Sequence, residues 1–135
     1  MQQYDIWAYR DETWADADLI GFSVEALDGS IGKIDEASND VGAGYIVVDT
    51  GPWIFGKKVL LPAGVIDTVD YDETCVYVQR TKDEIKDAPE FDPDSRMDEN
   101  YRKQFGSYYG PGGSGYYEGT REYSRPIGAR RDDLI

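Results

Sequence analysis

The sequence predicts a mostly-β fold, a small antiparallel β-barrel of about six strands with short C-terminal helices and a Gly/Tyr-rich tail. Three observations predict it. Short apolar and β-branched runs recur between residues 21 and 80. Turn formers separate them roughly every ten residues, too closely for the crossover helices of βαβ units. An Asp28-Gly29 pair stands between two of these runs, and a two-residue Asp-Gly link is among the strongest short hairpin signals.

That hairpin is the stretch around which the rest is organised. Phe22, Val24 and Ala26 alternate with Ser23, Glu25 and Leu27, and Ile31 and Ile34 follow the turn. A type I′ turn needs positive φ at both central positions, which Gly adopts freely and Asp tolerates. Gly32 then marks a bulge or a close backbone approach. A phosphate-binding loop is the other use of such glycines, but no helix and no Lys-Ser/Thr follow here. Residues 37–44 form a turn-rich loop. Tyr45-Ile46-Val47-Val48-Asp49 is apolar on both faces until its last residue, so it is expected to be the most buried strand. The turn after it carries Trp53, Ile54 and Phe55, which either cap the core or stand exposed as a contact patch. Lys57-Lys58-Val59-Leu60-Leu61 is the next strand, and Pro62 ends it or places it at an edge. Val65-Ile66-Asp67-Thr68-Val69, the turn Asp70-Tyr71-Asp72-Glu73, and a strand from Thr74 to Gln79 complete the set.

The flanks read differently. Residues 1–18 form an acidic, aromatic arm with Tyr4, Ile6, Trp7, Tyr9 and Trp14. A short helix from Asp11 or Thr13 to residue 17 is expected, with Thr13 as N-cap. The aromatics either close one end of the barrel or dock on a second subunit. After the domain at 19–80 comes a helical extension at 81–105. Thr81 and Glu84 have the capping-box spacing, Ile85 is the apolar anchor, and Pro89 stops the helix. Ser95 caps a second helix from residue 96 to about 105, whose stripe is Met97, Tyr101 and Phe105. This stripe packs on the barrel or offers itself to a partner groove. Residues 106–135 are a Gly/Ser/Tyr-rich tail ending in a stretch with Arg121, Arg125, Arg130 and Arg131. Such composition cannot bury a core of its own. The locally basic stretch that holds these arginines, before Asp132-Asp133-Leu134-Ile135, invites a fold-back onto the acidic body or a contact with a neighbour.

Composition narrows the function. At 135 residues one domain is expected. The net charge of -13 argues against nucleic acid and anionic membrane surfaces as partners, since both are bound by neutralising phosphate or lipid charge. There is no histidine, which removes the commonest general base and zinc ligand. The single cysteine, Cys75, excludes an intramolecular disulfide and fits a reducing compartment; its setting in Thr74-Cys75-Val76-Tyr77-Val78 is that of a strand residue rather than a reactive thiol. No apolar run has the length of a membrane span and no leader pattern opens the chain, so the expected address is cytoplasmic. Asp35, Glu36, Asn39 and Asp40 form one acidic cluster, and Asp92, Asp94, Asp98 and Glu99 another. Neither has the fixed Gly and Glu of an EF-hand loop, and the second suits a helix N-terminus. No nucleophile elbow, Walker motif or dinucleotide fingerprint is present.

Taken as a set, Leu19-Ile20-Gly21-Phe22-Ser23-Val24, Asp28-Gly29-Ser30-Ile31-Gly32-Lys33-Ile34, Tyr45-Ile46-Val47-Val48-Asp49 and Lys58-Val59-Leu60-Leu61-Pro62 resemble the PRC-barrel domain. That domain is named for the photosynthetic reaction centre. It occurs in the reaction-centre H subunit, at the C-terminus of a ribosome maturation factor, and in short stand-alone bacterial and archaeal proteins. The resemblance covers about residues 17–80. The later pattern Ile85-Lys86, Ala88-Pro89-Glu90-Phe91-Asp92, then Tyr101, Gln104-Phe105 and Tyr108-Tyr109-Gly110, is similar to extensions of the stand-alone bacterial members. The resemblance implies a small β-barrel used for protein contact and assembly, with no enzyme activity, no cofactor and no catalytic residue to carry over. The chain shows neither the membrane helix of the H subunit nor the RNA-processing-factor domain, so neither a reaction-centre nor a ribosomal role is expected.

The expectation is therefore a non-catalytic adaptor or assembly module, a homodimer held by barrel-edge pairing or by the aromatic terminal segments. Its interface residues are Trp7, Trp14, Trp53, Phe55, Tyr101 and Phe105. The partners are itself and another protein. The alternative is a ligand- or divalent-metal-binding module using residues 35–40. An enzyme built on paired carboxylates is the third and least supported reading.

Overall fold

In the computed structural model of the chain, residues 6–38, 44–51, 57–94, 98–110, 113 and 121–124 are described. Six strands form one sheet: β1 (Ser23–Ala26), β2 (Gly29–Ser38), β3 (Tyr45–Asp49), β4 (Lys58–Pro62), β5 (Ile66–Asp70) and β6 (Cys75–Val78). Three helices flank it: α1 (Glu12–Ala15), α2 (Lys82–Lys86) and α3 (Glu99–Tyr109). A 3-10 turn, Ala63–Val65, links β4 to β5.

The strands lie in the order β4-β3-β2-β1-β6-β5. β1 to β4 form an antiparallel meander. β5 and β6 form a hairpin that joins the other side of β1, where β6 runs parallel to it, Val24 opposite Val76. The sheet is thus mixed rather than all antiparallel. It is also not closed into a barrel, because no ladder joins β4 to β5 among the described residues. It must nevertheless curl. β4 and β5 are the two outer strands, about five strand spacings or ~24 Å apart across a flat sheet. The four Cα steps from Pro62 to Ile66 reach at most about 15 Å. The short linker therefore draws the two edges towards each other, and the expected barrel is left as an open, rolled sheet.

The Asp28-Gly29 hairpin forms one residue earlier than expected. Ala26 pairs with Gly29, so the two linking residues are Leu27 and Asp28. Gly29 holds the positive φ, 143°, and Asp28 does not, which excludes the type I′ turn. The Asp28 carboxylate instead accepts the Lys82 backbone N–H at 2.8 Å, tying the hairpin to the start of α2. Both expectations for Gly32 hold. The register slips between Val24 and Glu25 as a bulge that inserts Ile31. Gly32 has φ 147°, and a Cβ there would overlap the Asp49 carbonyl and lie 2.9 Å from Thr50 Cα.

β3 is buried along Tyr45, Ile46, Val47 and Val48, with only Asp49 exposed, as its unbroken apolar run predicts. β4 is an edge strand carrying Pro62, as expected. The N-terminal arm is built into the body. Gly64 donates to the Ile6 carbonyl at 2.7 Å and Gly44 to the Trp7 carbonyl at 2.9 Å. The Tyr9 hydroxyl donates to the Ser38 carbonyl at 2.7 Å. α1 is capped by Asp11 and not by Thr13: the Asp11 carboxylate accepts the Thr13 N–H and hydroxyl. That bonding holds the Asp11 carboxyl below the usual range.

α2 has the capping box foreseen at Thr81 and Glu84, with Ile85 buried. α3 begins later than expected, capped by Asp98, and runs on to Tyr109. Ser95 and Met97 lie outside the described residues. The consequence is a correction to the reading of the tail. Residues 106–109 are helical, Tyr109 is completely buried, and the stripe that packs is Tyr101, Phe105 and Tyr109.

Candidate functional site

Two surface features are assembled from residues distant in sequence. The first is a groove of about 660 Å³ between the start of β4 and the segment that follows α2. Val59, Ile85, Ala88, Pro89 and Phe91 supply its apolar lining; Lys57, Lys58, Lys86, Glu36 and Glu90 supply its polar part. Sequence order explains how these residues meet. α2 ends at Lys86 with Asp87 as its C-cap, and the segment after it lines the groove opposite Lys57, Lys58 and Val59, where Lys57 bonds Glu90 at 2.9 Å. Lys58 bonds Asp35 at 2.6 Å, and this bond raises its pKa. Both ion pairs are exposed and screened by solvent, so they add little to stability. Their role is to order the lysine chains beside the groove. The groove holds three lysines in a chain with net charge -13.

The second feature lies at the other end of α2. Gln79 and Arg80 are buried, Arg80 being 1% exposed. Arg80 donates to the Tyr109 carbonyl at 3.1 Å and its guanidinium stands 5.9 Å from the centre of the Tyr109 ring. Residues 121–124 cross this region. Gln79 engages the Arg121 backbone twice, accepting its N–H at 2.9 Å and donating to its carbonyl at 3.0 Å. The Arg121 guanidinium forks onto both Glu84 carboxylate oxygens at 3.0 and 3.2 Å. Tyr123 packs edge-on against Tyr77 with ring centres 5.4 Å apart and donates to Asp67 at 3.0 Å. Its phenol pKa is pushed up by burial. The fold-back suggested by the charge of the tail is thus present at Arg121.

The six residues expected at an interface are placed as follows. Phe105 is 1% and Trp14 9% exposed, both covered by this chain. Trp7 and Tyr101 are half-buried against the same core, and Tyr101 also accepts the Asp92 N–H at 2.6 Å. Trp53 and Phe55 lie outside the described residues. The structure brings the first four into one body and leaves other apolar groups outward. Ile20 is 59% and Tyr71 50% exposed, with Phe22 edge-on to Tyr71 at 6.2 Å.

Asp35 is engaged by Lys58, and Asn39 and Asp40 lie outside the described residues. Among the described residues no group of three or more acidic, Cys or His side chains is arranged to hold a metal ion. Cys75 opens β6 and is half-buried. No helix among the described residues is long and apolar enough to cross a membrane.

Sequence reasoning missed the groove because Phe91 and Pro93 read as linker, and missed Gln79, Arg121 and Tyr123 because nothing local marks a residue as a docking partner. The one available signal was Glu84: a capping-box carboxylate retains a second oxygen for another donor. No protein-family model and no curated protein matches the sequence.

Proposed function

We propose that the chain is a non-catalytic protein-contact module of the PRC-barrel type that assembles as a homodimer through the groove beside β4. The carrying observation is an apolar groove beside an edge strand whose polar rim carries both signs, Lys57, Lys58 and Lys86 with Glu36 and Glu90. A second copy is the complementary partner: two apolar linings meet about a twofold axis, and the lysines of one rim face the carboxylates of the other, which fixes orientation. Lys58 and Pro62 blunt β4 against ladder extension. Contact is therefore by side chains seated in the groove rather than by strand addition. The PRC-barrel assignment is supported by the strand count and by the four matching segments, which contribute to β1, β2, β3 and β4. The open sheet is where this chain departs from a closed barrel.

Light scattering tests the reading. Wild type is expected at twice the single-chain mass of 15.2 kDa, shifting towards the single-chain value as salt screens the contact. The double variant Val59→Glu/Phe91→Ser is expected to be monomeric under all conditions. A wild-type protein that stays monomeric at millimolar concentration, or a variant that keeps the dimer mass, would refute it.

A further inference from the structure

We propose that Gln79, Glu84, Asp67 and Tyr77 form a peptide-recognition site for an Arg-x-Tyr segment, filled in one copy by its own residues 121–123 and open to the same segment of a second copy. Each part of the site reads a different feature of the ligand. The Gln79 amide pairs with both the N–H and the carbonyl of Arg121 and so reads the backbone at that position. Glu84 takes the guanidinium through two bonds, a geometry lysine cannot reproduce. The Gln79 carbonyl accepts a further guanidinium N–H at 2.8 Å. Asp67 and the edge of Tyr77 select a phenol two residues on. The Leu27 carbonyl accepts the Ser124 N–H at 2.6 Å and fixes where the segment leaves.

The occupant is argued from the chain itself. Every copy carries both the site and its ligand. Between the end of α3 and Arg121 stand residues 110–120. Eleven residues span at most about 36–40 Å. That length serves a neighbouring molecule as well as the same one. Exchange of an identical segment between copies is a low-cost route to a dimer, since the contacts are those already made within the chain. The inference shares the assumption of self-association with the proposed function and adds a contact on the other side of α2.

The test uses the full-length chain with Arg121→Ala and Tyr123→Ala, which removes the internal ligand, and a fluorescein-labelled peptide of residues 118–126 as probe. Anisotropy should show saturable binding to this chain. Binding should weaken at least tenfold when Glu84→Gln is added, a change that keeps the helix cap, or when the peptide arginine is replaced by lysine. Wild type should bind at least tenfold more weakly, because its own segment competes. If the double variant loses its far-UV circular dichroism, the milder Arg121→Lys/Tyr123→Phe chain takes its place. Absence of binding to a folded chain, or binding indifferent to Glu84→Gln, overturns the proposal. The two readings fail separately: peptide binding does not depend on Val59 or Phe91, and the groove dimer does not depend on Glu84.

Discussion

Gly32 and Tyr109 show how much can rest on a single position. At Gly32 the backbone of β2 passes against Asp49 and Thr50 with φ at 147°. Any side chain meets both a forbidden conformation and a neighbouring carbonyl. Gly32→Ala is therefore expected to cost about 3 kcal/mol or more, read as a lowered urea midpoint. Tyr109 presents the opposite case. Its ring fills the space beside Arg80, but its buried hydroxyl has no hydrogen-bond partner among the described residues. Burial also pushes its pKa far upward. Removing a buried, unsatisfied hydroxyl returns its desolvation cost, so Tyr109→Phe is expected to raise stability by about 1 kcal/mol, while Tyr109→Ala should lose about 3–5 kcal/mol. The importance of Gly32 was visible in the sequence, because a glycine inside a β-patterned run packs nothing and so marks a bulge or a close backbone approach. That of Tyr109 was not: one Tyr among several in a Gly-rich run carries no local mark of burial.

Among the elements, α2 shows how a helix too short to persist alone is held in place. Its five residues are far below the length at which an isolated helix is stable. The capping box satisfies its first donors, Ile85 enters the core, and Asp28 accepts the Lys82 N–H. Thr81→Ala is expected to lose about 1 kcal/mol, and hydrogen exchange should report the loss first at the amides of α2. The same helix presents Glu84 to residue 121 at one end and leads into the groove at the other. Its cap was legible because capping is a matter of spacing over four residues. The start of α3 was misplaced because Ser95 and Asp98 both qualify as caps by residue type. The structure shows Asp98 in that role, its side chain accepting the Asn100 N–H at 2.8 Å.

For the whole molecule, buried phenols give the clearest dependence on pH. Burial raises the pKa of Tyr9 to about 12 and moves those of Tyr108, Tyr109 and Tyr123 in the same direction. In the unfolded chain these groups ionise near pH 10. Between that value and the folded pKa the native state holds more protons than the unfolded one. Stability is therefore full below pH 10 and falls as pH rises through about 12. Urea midpoints measured from pH 8 to pH 12 should decline over this window, less steeply in Tyr9→Phe. Self-association through a groove with charged rims should follow salt rather than this titration, so the two effects can be separated.

By itself the sequence determined the strand count, the burial of β3, a special backbone role for Gly32, the limit that Pro62 sets on its strand and the cap of α2. These follow from local rules: period-2 patterning, the φ range of glycine, the missing N–H of proline and the spacing of capping side chains. Tertiary structure alone decided that β6 lies parallel to β1, that the sheet stays open, and that Trp14, Phe105 and Tyr109 belong to one core. It also decided that residues 121–124 return to Gln79 and Glu84. The physical reason is common to all of these. Each depends on which distant surfaces meet when the chain curls, and the energy of that meeting is shared between residues that carry no sign of each other in the sequence.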